Sequence, residues 1–144
     1  MGNFIRVLSL LVLVYGKSYS NNEIKIGLGL VKVPVAGIHV KPDQSSPYDS
    51  QKIYGHTVDI LKIVDEAWVQ VRTNDGITGY CMRSDLSDDE VLWRTHTNLQ
   101  RIRSVTGSVY PTPDCSQQTL VRLPYNAHIK VLKETENKNW TFVE

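Results

Sequence analysis

Residues 41–61, KPDQSSPYDSQKIYGHTVDIL, align without a gap on residues 112–132, TPDCSQQTLVRLPYNAHIKVL, at an offset of 71. Pro42-Asp43 meets Pro113-Asp114, Ser45 meets Ser116, Tyr54 meets Tyr125, and Leu61 meets Leu132. Gly55 meets Asn126, the two residue types that most readily take positive φ in a turn. Val58 falls over Ile129 and Ile60 over Val131, alternating as a half-buried strand does. One inserted residue later, Trp68 meets Trp140 and Val71 meets Val143. Matching residues at a fixed offset mean two copies of one structural unit. A chain of 144 residues then holds two very small domains.

Each copy reads as short strands separated by turns. LVKVPVAGIHV (30–40) gives an alternating strand interrupted by Pro34, and a polar loop rich in Ser, Pro and Asp spans 41–50. TVDILKIV, AWVQVRT, the turn NDGITG and the closing YCMRSDL follow, with Asn74-Asp75-Gly76 as a strong hairpin signal. Five short strands in about 55 residues cannot lie flat with one face wet, so each copy is expected to roll into a small barrel. Trp68, Val69 and Val71 would supply its core and rim. Between the copies, Ser87 precedes Glu90 by three residues, just before Val91-Leu92-Trp93. This capping box predicts a short helix from about Asp88 to Thr95, with Trp93 against one of the barrels. The expected fold class is mostly β: two small barrels joined by a short helical linker.

The N-terminus reads differently. MGNFIRVLSLLVLVYGKSYSNN has one basic residue, Arg6, then an apolar run from Val7 to Tyr15, then small residues at Ser18 and Ser20. That is the layout of a secretory signal peptide cleaved after Ser20; the run is too short to span a bilayer, which takes about 20 residues. Membrane contact is expected only through this segment, before cleavage. Loss of Arg6 and Lys17 leaves 14 basic and 15 acidic residues, so the mature chain is about neutral and not built for nucleic acid. Cys81 and Cys115 are the only thiols, which is no disulfide framework.

VAGIHVKP…YGHTVDILKIVDEAWVQVRTNDGITGYCMRSDL resembles a bacterial SH3-type domain. The marks are the x-V-x-P loop start, the turn before T-V-x-I-L, the Trp opening the fourth strand, and D-G-x-x-G-Y leading into the last. The likeness covers about residues 28 to 144. Two such domains behind a signal peptide resemble the N-terminal half of NlpC-type cell-wall peptidases. Among these it is similar to the dipeptidyl-peptidases that cut γ-D-glutamyl-diamino-acid bonds in peptidoglycan stem peptides. The resemblance implies a signal peptide over 1–20, a first SH3-type domain over 28–86, a linker over 87–103 and a second, incomplete domain over 104–144. In the first copy residues 72–86 follow Val71, so the second is expected to need about 15 more after Val143. The chain therefore reads as the front part of a longer protein that carries the papain-like catalytic domain.

YPTPDCSQQ (110–118) contains the D-C-S tripeptide that surrounds the nucleophile of that family. There it opens a helix, where amide groups and a distant His lower the thiol pKa. Here Gln117 replaces the family's Gly, and the following QTLVRLPYNAH meets Pro124 and reads as loop and strand. Cys115 also aligns with Gln44, in the long loop of the first copy. No catalytic residue is expected in this chain. The resemblance implies substrate contacts in DSQKIYG (49–55), which is similar to a family segment that faces the catalytic cleft. The acidic residue of that segment helps hold the free α-ammonium of the substrate's L-Ala; Asp49 is the matching position. A carboxylate suits this task, because an ammonium taken out of water needs an opposite charge. The family's tyrosine hydroxyl is missing, since Ile77 of ITGY stands in its place. Tyr54 and Tyr80 complete the candidate substrate-binding set, although aromatic residues in small barrels usually pack.

His39, His56, His96 and His128 lack metal-ligand spacing, and neither a metal nor a cofactor is expected. Asn139-Trp140-Thr141 fits a glycosylation acceptor, but Trp140 is an expected core position. Tyr48 and Tyr54 supply only part of a groove for a proline-rich ligand. Two functional readings follow. The chain is a non-catalytic substrate-gating and wall-targeting segment of an exported peptidoglycan cysteine peptidase, partnered with stem peptide and with its own papain-like domain. Alternatively, it is a stand-alone exported binding module for cell-wall peptide, glycan or a protein partner.

Overall fold

The computed structural model describes residues 24–87, 98–134 and 140–143. The apolar N-terminal run and the helix expected from about Asp88 to Thr95 lie outside the described residues. The first half contains β1 (Gly27–Val31), β2 (Val35–His39), β3 (Tyr48–Ile53), β4 (Thr57–Ile63), β5 (Trp68–Arg72), β6 (Thr78–Met82), a 3-10 turn (Arg83–Asp85) and β7 (Leu86–Ser87). The second contains β8 (Leu99–Arg101), β9 (Thr106–Val109), β10 (Val121–Pro124), β11 (His128–Glu134) and β12 (Thr141–Val143). Strand pairing in the second half thus starts at Leu99, inside the stretch that the sequence assigns to a linker.

Local chemistry explains the breaks. Pro34 has no N–H and splits the apolar run 30–40 into β1 and β2; its carbonyl instead accepts from the Tyr54 N–H at 3.2 Å. Asp65 turns β4 into β5 by accepting from the N–H groups of Ala67 and Trp68, both at 2.8 Å. At the β5–β6 turn, Gly76 takes φ 86°, and the Thr73 N–H donates to the Ile77 carbonyl at 2.9 Å.

All pairings are antiparallel, and the first half forms one sheet in the order β3-β2-β6-β5-β4-β1-β7. Ala36 and Ile38 of β2 share a single buried cluster with Val31, Val58, Val69, Val71, Cys81 and Leu86. Leu86 sits on the last strand of the order, so the sheet coils around this core. It does not close into the expected barrel, because no ladder joins β3 to β7. The β3–β4 turn is tied instead to the end of β1: Gly55 N–H donates to the Val31 carbonyl and Val31 N–H to the His56 carbonyl, each at 2.9 Å.

The register of the first half recurs in the second. Leu28↔Asp59, Gly29↔Val58 and Leu30↔Thr57 return as Leu99↔Lys130, Gln100↔Ile129 and Arg101↔His128. Val35↔Ile53 to Ile38↔Ser50 return as Thr106↔Pro124 to Val109↔Val121. The slip between Ile60 and Lys62, opposite Val71 and Gln70, returns between Val131 and Lys133, opposite Val143 and Phe142. Gly55 and Asn126 both take positive φ, at 77° and 67°. One element differs. The second half consists of two separate sheets, β10-β9 and β12-β11-β8, and among the described residues nothing pairs between β9 and β12 as β6 does between β2 and β5.

The halves meet through their equivalent turns. His128 N–H donates to the Tyr54 carbonyl at 3.0 Å, and His56 Nε2 donates to the Asn126 carbonyl at 3.0 Å. The His56 and His128 rings stack at 4.3 Å with 18° between planes. Gly55 is buried against His128; a Cβ there would meet the His128 carbonyl oxygen and lie 2.7 Å from its Cβ.

Candidate functional site

Side chains alternate across a strand, so the residues that flank the core positions occupy the other side of the sheet. Ile38, Val69, Val71 and Cys81 are core; His39, Trp68, Tyr80 and Met82 alternate with them. Register aligns Tyr48, His39, Tyr80 and Gln70 across β3, β2, β6 and β5. This second face would be wet in a plain half-buried sheet, yet His39 is 5% and Trp68 7% exposed. The loop 40–47 covers them. His39 Nδ1 donates to the Ser46 carbonyl at 3.0 Å, and Gln44 Nε2 reaches Met82 Sδ at 3.5 Å. Asp43 Oδ1 folds the loop by accepting from the Ser45 N–H at 2.9 Å, a bond that holds its carboxyl below the usual range. His39 meets Tyr48 edge-on at 4.5 Å and Trp68 edge-on at 5.1 Å. Tyr48 lies over Gly37, where a Cβ would fall 2.7 Å from Tyr48 Cδ1. The residue as a whole stays 60% exposed.

Asp49 sits at the rim of this face. Ile38 pairs with Ser50 and His39 with Tyr48, which leaves Asp49 as the extra residue of a bulge. Bulges re-aim side chains and are frequent beside functional sites. Asp49 is exposed. Its carboxylate has no ion pair among the described residues, whereas Asp59 holds Lys25 and Arg72, and Asp75 holds Lys52. The site therefore offers an uncommitted carboxylate beside an exposed phenol, on a loop-braced aromatic base.

The four sequence-derived positions are not all brought together. Tyr80 shares the cross-strand row of Tyr48, two strands away, or about 10 Å. Tyr54 lies five residues along from Asp49, about 16 Å of extended chain, and its carbonyl belongs to the junction with the second half. Ile77 is half-buried in the β5–β6 turn, where its N–H donates to Thr73 Oγ1 at 3.1 Å. The sequence reading missed His39, Gln44 and Met82 as parts of the face. The available signal was parity, since each falls one residue off a core position or in the loop above it.

The two thiols differ sharply. Cys81 is fully buried, and burial, with Asp85 nearby, pushes its pKa up to about 12. Cys115 is exposed and free, in a surface turn outside any helix. There Asp114 Oδ1 accepts from the Ser116 N–H at 2.9 Å, repeating the Asp43–Ser45 bond.

Comparison with known proteins agrees with the pattern of the first half. The chain is 26% identical to Dipeptidyl-peptidase 6 of Lysinibacillus sphaericus over 121 residues, which make up 80% of this chain and 44% of that protein. It thus spans less than half the length of this relative. Among solved structures, NlpC2 from Trichomonas vaginalis aligns over 82% of this chain and 42% of its own, with 13% identity and a TM-score of 0.36; at that score it carries no structural argument. Residues 38–86 match the family described as the bacterial dipeptidyl-peptidase SH3 domain. They take in β2 through β7, the covering loop and Asp49, and so this part of the chain is a bacterial SH3 domain of the dipeptidyl-peptidase type.

Proposed function

We propose that this chain is the non-catalytic, substrate-gating and wall-targeting segment of an exported peptidoglycan cysteine peptidase. A papain-like domain of the longer protein would cut the γ-D-glutamyl-diamino-acid bond by thiolate attack and hydrolysis. The two halves act as tandem SH3-type units, the first walling off one end of the catalytic groove. The observation that carries this reading is the exposed Asp49 carboxylate on its bulge, within a dipeptidyl-peptidase SH3 match. When the catalytic domain closes over that rim, a substrate ammonium loses water and Asp49 supplies the opposite charge. Peptides with a blocked N-terminus would leave the carboxylate desolvated and unpaired, so the gate admits free amino ends. Ile77 cannot donate the hydroxyl that the family uses, which shifts orientation of the peptide onto the remaining contacts.

The test is to assay residues 21–144 on intact cell wall and on stem peptide. The expected result is retention on the wall with no release of L-Ala-γ-D-Glu. Release of that dipeptide by the isolated chain would overturn the non-catalytic assignment. Wall retention that is unchanged in Asp49→Asn, with no response to stem peptide, would favour the stand-alone binding module instead.

A further inference from the structure

Arg101 ends β8 and pairs with His128 of β11. Beyond it the chain stays tied to the β10–β11 turn by backbone bonds. Ile102 N–H donates to the Ala127 carbonyl at 2.9 Å, Asn126 N–H to the Ile102 carbonyl at 2.8 Å, and Tyr125 N–H to the Val105 carbonyl at 3.1 Å. The Ile102 side chain turns onto Gly107, where a Cβ would lie 2.7 Å from Ile102 Cδ1. Alternation sets Arg101 and Arg103 on the other side. A cleft of about 220 Å³ results, lined by Arg101, Ile102, Arg103, Tyr125 and Asn126.

The donors of this cleft are unspent. Among the described residues no ion pair engages Arg101 or Arg103. Neither the Tyr125 hydroxyl nor the Asn126 carboxamide has a hydrogen-bond partner among them, and no carboxylate lines the cleft. Two guanidiniums on one short segment repel each other, and an anion between them relieves that repulsion. The first half carries no such set: Leu30, 6% exposed, stands in the place of Arg101, and Gly55, with no side chain, in that of Asn126. Here the repeat departs from itself by exchanging a buried apolar residue for an exposed charge.

We propose that the cleft between Arg101, Arg103, Tyr125 and Asn126 is a binding site for a phosphate group. A guanidinium offers its N–H donors in a planar fork that takes phosphate oxygens two at a time. A carboxylate has about four acceptor positions on its two oxygens. Two forks, a hydroxyl and a carboxamide on two sides of a cleft ask for more, and a tetrahedral group with oxygens facing several ways supplies them. The backbone bonds between 102–105 and 125–127 hold the donors in place before the ligand arrives, so little ordering is left to do on binding. A phosphodiester and a phosphomonoester share this group. The site stands apart from the ammonium site at Asp49 and does not depend on it: a chain that ignores stem peptide and cell wall but binds phosphate keeps the one and loses the other.

The test titrates the isotope-labelled chain with inorganic phosphate, dimethyl phosphate and acetate at one ionic strength, followed by NMR at the arginine Nε–H, Asn126 carboxamide and backbone signals. The expected result is saturable shifts at Arg101, Arg103, Tyr125 and Asn126 with a phosphate compound and not with acetate. Binding of dimethyl phosphate identifies a diester as the source, and binding of inorganic phosphate alone a monoester. Arg101→Gln and Arg103→Gln should each weaken binding at least about tenfold, through a lost charge-assisted fork. Arg122→Gln, an exposed residue of β10 outside the cleft, should leave it unchanged. Shifts that do not saturate, acetate binding as tightly as phosphate, or an equal loss in Arg122→Gln would each overturn the site.

Discussion

Gly55→Ala probes the junction of the halves at one atom. Two costs are separable. Gly55 has φ 77°, and an L side chain in this region costs about 1–2 kcal/mol. The added Cβ also runs into His128, whose backbone is fixed by the Tyr54 bond. Relief requires the turns to part, which breaks the His128–Tyr54 and His56–Asn126 hydrogen bonds at about 1 kcal/mol each. The expected loss is about 3–4 kcal/mol. Gly55→Asn separates the terms, because Asn126 already tolerates φ 67° at the equivalent position. It keeps the clash and sheds most of the strain, for an expected loss of about 2–3 kcal/mol. Asn126→Gly meets no such clash and should stay within about 0.5 kcal/mol of the parent. Urea unfolding of residues 21–144, followed by tryptophan emission and by the His56 and His128 ring signals, measures all three. Unchanged ring signals and stability in Gly55→Asn would refute the junction; equal losses in Gly55→Ala and Gly55→Asn would refute the strain term.

Other expectations follow from the same contacts. Burial, then His56 and Arg101, lower the His128 pKa from 6.5, so the unfolded state binds the extra proton more readily. Stability from the junction is complete above about pH 6.5 and falls as pH drops through the lower folded value; a pH titration of urea midpoints should show this slope, and His128→Asn should flatten it. A thiol reagent at pH 8 should label one cysteine in the native chain, Cys115, and two in denaturant, because Cys81 is buried with its pKa near 12; rapid native labelling of both would contradict the core described above. Asp49→Asn should leave stability within about 0.5 kcal/mol, since its exposed carboxylate has no ion pair among the described residues. A larger loss by calorimetry would give Asp49 a structural role.

The recurring strand register was legible because turn chemistry and alternation leave residue-level traces. Gly55 over Asn126 marked two positive-φ turns, and Asn74-Asp75-Gly76 marked the β5–β6 hairpin. β3 was harder to read: Tyr48–Ile53 is a polar strand, YDSQKI, whose partner β2 already carries the core residues. No periodic apolar signal separates such an edge strand from the loop before it. Closure was misjudged for a related reason, since composition shows that a sheet must curl but not whether its last strands reach one another. At the site, the sequence pointed to Asp49 by resemblance, but the base beneath it depends on a long-range contact. His39 and Trp68 lie 29 residues apart and are joined only when β6 brings their strands into line.

The account turns on Asp49 as the receptor of a free amino end. Isotope-labelled residues 21–144 titrated with a stem peptide that begins at free L-Ala, and then with its N-acetylated form, test this most directly by NMR. The account predicts saturable shifts at Tyr48, Asp49 and Tyr80 with the free peptide, and their loss with the acetylated peptide and in Asp49→Asn. Identical shifts from both peptides, or shifts that survive Asp49→Asn, would contradict it.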